Sequence, residues 1–161
     1  MHTYKNDFPV FTQHPDLVFF DSGASAQKPQ VVIDKVSAFV SGEYANIHRG
    51  LYDLSEKAEK VYYDSKLAVG TLLGCKVSEI FYTYNSTYGI NIVAQSLVRS
   101  GILGKGDVVL LGIWEHHANI LPWQILSEMF GFDIQFIGIT DDYDIDWNDF
   151  AKKYTDRVKV V

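Results

Sequence analysis

Three short stretches of this sequence hold side chains whose types and spacing could do chemistry. The first is Asn85-Ser86-Thr87-Tyr88-Gly89, where two hydroxyls precede a run with helical periodicity. At a helix N-terminus the leading amides lack intrahelical partners and the helix dipole favours negative charge, so these residues could cradle a phosphate. The same residues also suit plain helix capping, which needs no ligand. The second stretch is Trp114-Glu115-His116-His117-Ala118-Asn119. Adjacent histidines do not share a helix face in the way metal ligands three or four apart do, so a metal site is not expected. One histidine could instead meet a ligand as an aromatic platform or an acid/base group, with the other structural. The third is His48-Arg49, a cation beside an imidazole that could hold an anionic group or simply pair with a surface carboxylate. Cys75, the only cysteine, has no neighbour to lower its pKa and reads as a small packing residue; it also rules out an internal disulfide framework.

The elements that must position these residues follow from periodicity. Residues 17–20 (LVFF) predict a short strand. Pro29 opens a helix carrying Val32, Ile33, Val36 and Val40 on one face and closing near Gly42. A longer helix is predicted from about Ser55, as its cap, to Leu73, with Gly74 as the left-handed terminator. Residues 79–84 (EIFYTY) predict a strand, the Asn85-Ser86-Thr87 turn follows it, and a helix occupies 88–100. The pattern then repeats: a strand at 107–113, a helix from about Ala118 to Phe130, a strand at 133–139, a short helix after Asp146, and the opening of a further strand in RVKVV. Strands alternating with helices predict an α/β fold, a largely parallel sheet with flanking helices, in which ligands bind beyond the carboxyl ends of the strands. Ending within a buried-looking strand, the chain is expected to be an incomplete portion of such a fold.

Composition narrows the function classes. Of 161 residues, 47% are hydrophobic and 21% charged, and 14 Lys and Arg stand against 20 Asp and Glu, a formal charge of −6. This is globular composition without the basic surface of a nucleic-acid binder. The amino-terminal MHTYKNDFPVF is not a secretion signal, and no apolar run has membrane-spanning length, so a cytoplasmic location with no membrane partner is expected.

Four stretches taken together, FFDSGASAQKP, YANIHRGLYDLS, STYGIN and EHHANILPWQ, resemble in order the successive motifs of SufS-type cysteine desulfurases in the class V aminotransferase family. The resemblance runs from about Phe8 to Val161. It implies an incomplete fold-type I large domain, with residues 1–20 an amino-terminal arm and 21–161 a partial cofactor-binding domain. It further implies pyridoxal 5′-phosphate (PLP) as cofactor, L-cysteine as substrate, a homodimer when complete, and a sulfur-acceptor protein as partner. The implied reaction releases alanine and leaves a persulfide on the enzyme, for iron–sulfur cluster assembly. By the same resemblance Thr87, with Ser86 beside it, binds the cofactor phosphate. His116 stacks on the cofactor ring and assists proton transfer, and Asn119 lies in the cofactor site. Ala24, His48 and Arg49 line the substrate side.

The sequence departs from the family pattern as well. Tyr84-Asn85-Ser86-Thr87-Tyr88 replaces the usual Arg-Gly-Thr-Thr-Glu, so Asn85 is expected to supply a left-handed conformation in place of glycine, and Tyr88 removes an acceptor at the helix start. Tyr52 stands where a second histidine is common, and Gly23 where alanine is. In the family the Schiff-base lysine, the acidic partner of the pyridine nitrogen, the persulfide cysteine and the carboxylate-binding arginine all lie further along the sequence than Val161. Selenocysteine lyase or aminotransferase activity, a non-catalytic half of a split enzyme, and a flavodoxin-like nucleotide module are the alternatives.

Overall fold

The computed structural model describes residues 4–161, which fall into two units, the first running to Phe81 and the second from Tyr82 to Val161.

The regular structure of the first unit is helical. A short helix α1 spans Pro9–Gln13, α2 spans Gln30–Gly42 and α3 spans Asp53–Leu73. Pro29 immediately precedes α2 with φ −67°, the value its ring imposes, and leads the chain into the helix. The apolar stripe of α2 is nevertheless open to solvent, with Val32, Ile33, Val36 and Val40 all exposed. α3 ends as its sequence predicts, on Gly74 in the left-handed region at φ 69°. Its start differs from expectation. Tyr52, not Ser55, occupies the cap position, and Ser55 is buried within the first turn, where its hydroxyl donates to the Asn46 carbonyl at 2.7 Å. Asp53 and Glu56 supply the negative charge that a helix start favours.

Two predicted strands are absent. Residues 17–20 are irregular, with Phe20 almost fully exposed. In place of a strand at 79–84 there is a 3-10 turn, Val77–Glu79, closed by the Lys76 backbone N–H donating to Glu79 Oε2 at 2.7 Å, followed by irregular chain. β-branched and aromatic residues favour extended backbone, but a strand exists only where a neighbour completes its ladder, and among the described residues neither segment has one.

The second unit holds the sheet. Helix α4 spans Ser86–Arg99, β1 Val108–Gly112, α5 Leu121–Phe130, β2 Asp133–Ile137, α6 Trp147–Lys153 and β3 Val158–Val160. The strands are parallel in the order β2-β1-β3, with Val108 opposite Asp133 and Gly112 opposite Ile137 along one side of β1, and Val108 opposite Val158 along the other. Every residue of β1 is buried, as a central parallel strand covered on both faces requires. Val109 and Leu111 join Ala94 and Val98 of α4, Trp123 and Leu126 of α5, and the flanking Leu103 and Phe132 in one core.

The predicted α/β class with a largely parallel sheet is therefore the architecture of this unit, with some boundaries moved for identifiable reasons. The helix expected from Ala118 begins as a 3-10 turn, His117–Asn119, and becomes α-helical only at Leu121, where Pro122 fits the first turn because it has no N–H to satisfy there. β2 stops at Ile137 instead of 139, since the next amide, Gly138, donates to Asp149 Oδ2 at 2.8 Å. No helix among the described residues is long and apolar enough to cross a membrane.

Candidate active site

The site is assembled where α4 begins and β1 ends. Asn85 caps α4: its side-chain oxygen accepts from the Tyr88 N–H at 2.8 Å and its carbonyl accepts from the Gly89 N–H at 3.1 Å. Its φ is −168°, ordinary extended backbone, so the left-handed conformation expected of asparagine at this position is not used. Asparagine serves here as a capping acceptor, and it does so although Tyr88 stands where a carboxylate is usual. With Tyr88 and Gly89 engaged, the amides of Ser86 and Thr87 are those that the first turn leaves without intrahelical acceptors. Both residues are exposed, so two hydroxyls and two amides stand together at the positive end of a 14-residue helix.

Beside this turn lies a cavity of about 420 Å³, lined by Ser86, Gly89, Ile90, Val93, Leu111, Asn119, Trp123, Val160 and Val161. It brings Ser86 of α4 and Asn119 of the 3-10 turn to one concavity at the carboxyl end of β1. Thr87 and His116 do not line it; Thr87 follows Ser86 in the first turn of α4, and His116 immediately precedes the 3-10 turn that carries Asn119.

At that end of β1, Gly112 meets a specific steric need. A Cβ there would lie 2.6 Å from the Trp114 ring, so only glycine admits the indole against the strand's last residue. His116 caps the following 3-10 turn, its Nδ1 accepting from the Ala118 N–H at 3.1 Å, and its ring meets that of His117 edge-on at 6.2 Å. Asn119 is bonded at both ends of its amide: Nδ2 donates to Glu115 Oε2 at 3.0 Å, and Oδ1 accepts from the buried Trp123 indole N–H at 3.1 Å. Glu115 and Trp123 were not among the residues singled out from sequence, although their spacing of four on either side of Asn119 is visible there. Among the described residues no group of three or more His, Cys, Asp or Glu is arranged to hold a metal ion.

The remaining sequence candidates lie in the first unit. Ala24 sits in an exposed turn, its N–H donating to the Asp21 carbonyl at 3.2 Å. His48 and Arg49 are consecutive residues at φ 69° and 63°, a conformation that side chains with a Cβ adopt only under constraint. The constraint is local. Ser55 ties down Asn46, and Gly50 packs so closely on Ser55 that a Cβ would fall 1.9 Å from its Oγ. His48 itself lies edge-on to Tyr62 at 6.0 Å, with Nδ1 3.6 Å from Glu59 Oε1.

The start of α4 and the concavity beside it lie at the carboxyl end of a parallel strand, where α/β folds characteristically place ligands. The profile of the aminotransferase class-V family matches residues 18–161, and the chain belongs to that family. It is 35% identical over 161 residues to a cysteine desulfurase of Dickeya dadantii, covering 98% of this chain and 39% of that enzyme. The apo structure of a cysteine desulfurase from Thermococcus onnurineus superimposes with a TM-score of 0.84 at 32% identity, over 92% of this chain and 36% of that one. A C-DES variant with glycine covalently linked to its PLP cofactor shares the fold, at TM-score 0.77 and 18% identity over 98% of this chain and 39% of that one. The chain spans from 22% to 39% of the length of three curated relatives it matches. Its parallel sheet and helices correspond to part of a fold-type I large domain.

Proposed function

We propose that this chain carries the phosphate- and ring-binding part of a PLP-dependent cysteine desulfurase, an enzyme that converts L-cysteine to L-alanine and passes the sulfur on as an enzyme persulfide for iron–sulfur cluster assembly. The observation that carries the reading is the first turn of α4, where the hydroxyls and amides of Ser86 and Thr87 stand beside the cavity that Ser86 shares with Asn119. That donor set fits a phosphate: it offers hydrogen-bond donors at a helix N-terminus and no carboxylate. The bound cofactor would supply an electron sink for the substrate's bonding electrons. Ser86 and Thr87 would hold the phosphate, Asn119 would border the site, and His116 would stack on the ring and hold or move a proton at Nε2. Ala24, His48 and Arg49 are assigned to the substrate side. In this reading residues 1–20 form an arm and 21–161 belong to the cofactor-binding domain, the complete enzyme is a cytoplasmic homodimer, and an acceptor protein takes the sulfur. Selenocysteine lyase or aminotransferase chemistry on the same scaffold is the alternative within the family.

The test is a titration with PLP and with pyridoxal, which lacks the phosphate. Hydrogen bonds to a charged group contribute about 1.5–3 kcal/mol, so Thr87→Val is expected to weaken PLP binding by roughly 10- to 100-fold and to leave pyridoxal binding nearly unchanged. Equal losses for both ligands would remove the phosphate assignment. A polypeptide of these 161 residues, supplied with PLP and L-cysteine, is expected to show no sustained alanine release, because no lysine here stands in the family's cofactor-lysine motif. Sustained release would contradict that.

A second reading, a half that works only with a partner chain, is favoured by the exposed apolar stripe of α2. Sedimentation of the isolated chain as a monodisperse monomer would count against it.

A further inference from the structure

The turn that presents His116 contains a chain of hydrogen bonds that neither phosphate binding nor ring stacking requires. It starts in the core, where the Trp123 indole, 3% exposed, donates to Asn119 Oδ1 at 3.1 Å. It continues outward as Asn119 Nδ2 donates to Glu115 Oε2 at 3.0 Å. His116, His117 and Ala118 lie between Glu115 and Asn119, so this side-chain bond closes a ring around them. Inside the ring two backbone amides fix His116 itself: Ala118 donates to its Nδ1 at 3.1 Å, and Asn119 donates to its carbonyl at 2.7 Å. The His116 side chain is exposed, so packing does not hold the imidazole in place.

We infer that Glu115, Asn119 and Trp123 form a positioning clamp that holds His116 as the Nε2–H tautomer and turns that N–H outward as a donor. A neutral imidazole has one N–H and one lone pair; with the Nδ1 lone pair taken by a backbone amide, the proton resides on Nε2. The amide reaches Nδ1 only while the turn keeps its shape; the turn's backbone is tied to β1 by the Glu115 N–H donating to the Gly112 carbonyl at 3.2 Å, and its side chains are tied to the core through Asn119 and Trp123. Asn119 is thus a positioning residue, since both ends of its amide are committed within the protein. Glu115 acts as an acceptor and not through its charge, so glutamine can replace it. The clamp deepens the proposed function, on which it rests only for the use made of the outward N–H.

The experiment is an imidazole nitrogen spectrum of the full chain labelled with 15N-histidine, taken without ligand at a pH where the ring is neutral, with His116 assigned from His116→Gln. The wild type is expected to show a bare Nδ1 and a protonated Nε2 at His116. Glu115→Gln should keep that pattern. Glu115→Ala, and Asn119→Asp, which still accepts from Trp123 but sets a second carboxylate against Glu115, should replace it with an averaged mixture of tautomers. Amide signals of Val109–Leu111 report whether each variant is folded, and if Asn119→Asp is not, Glu115→Ala decides alone. A wild-type His116 that is protonated on Nδ1 or already averaged would overturn the clamp, as would an unchanged pattern in Glu115→Ala. PLP is added afterwards: a clamp confirmed without ligand, followed by no response to PLP, would remove the cofactor reading and leave the clamp standing.

Discussion

In the second unit the residues of β1 are buried without exception, and large side chains from two helices close over them; among the described residues of the first, the buried ones are Ser55, Ala58 and Gly70, small groups along one helix. The second unit holds its shape by a core. The first holds its shape by helix propensity and local contacts, such as Ser55 on Asn46 and Gly50 on Ser55, while the apolar stripe of α2 faces solvent. This difference matters for the site. The start of α4 and the His116 turn are anchored to β1, α4 and α5, whose packed side chains can fix a ligand contact closely. The His48-Arg49 loop keeps two residues at positive φ on local contacts: a serine, a glycine, an edge-on ring and the Glu59 carboxylate beside His48.

The largest effect should come from the core. Leu110 is fully buried and Val36 is 57% exposed. Leu110→Ala is expected to lower unfolding free energy by about 2–5 kcal/mol, and Val36→Ala to change it by no more than about 0.5 kcal/mol. Urea midpoints measured side by side check this, and similar losses would erase the contrast between the units.

Within the first unit, Gly50→Ala should be the most damaging loop change, on the order of 1–3 kcal/mol, because the new methyl overlaps Ser55. Ser55→Ala should not rescue it, since the added Cβ would still lie 2.3 Å from the Ser55 Cβ. Rescue in the double variant would show that the Ser55 hydroxyl alone, and not its Cβ, sets the close approach to Gly50. Ser55→Ala alone removes one hydrogen bond, about 1 kcal/mol, and should speed amide exchange in residues 44–50 without altering β1.

The smallest effect is electrostatic and belongs to the second unit. The Lys153 side chain hydrogen-bonds Asp149, and the Gly138 N–H donates to the same oxygen, which together hold its carboxyl below the usual aspartate value. A lowered folded pKa stabilises the fold above the ordinary carboxylate range, and that contribution is lost as pH falls through the folded value. Asp149→Asn should therefore flatten the acid limb of a melting-temperature profile. An unchanged acid limb would mean that the interaction contributes nothing to folding.

Local signals were legible in the sequence wherever local physics decides. Pro29 and Gly74 mark helix boundaries through backbone geometry alone, and β1 stands out as an unbroken apolar run. The segments 17–20 and 79–84 were misread because extended propensity does not tell whether a ladder partner exists. Ser55 was misread because its hydroxyl is drawn to a carbonyl nine residues back, a contact that cap statistics do not include. The start of α4 was legible as a helix start, and its capping by Asn85 was not, since that depends on the backbone angle the loop adopts. The importance of Glu115 and Trp123 lies in what they do for Asn119, which only the folded turn reveals.

The central claim, that ligand binding is built on the packed second unit at the start of α4 and the end of β1, is tested most directly by mapping amide chemical shifts while the chain is titrated with PLP. The account predicts saturable shifts centred on Ser86, Thr87 and the residues around His116, with the α2 amides unmoved. Shifts centred elsewhere, or none at saturating ligand, would contradict it.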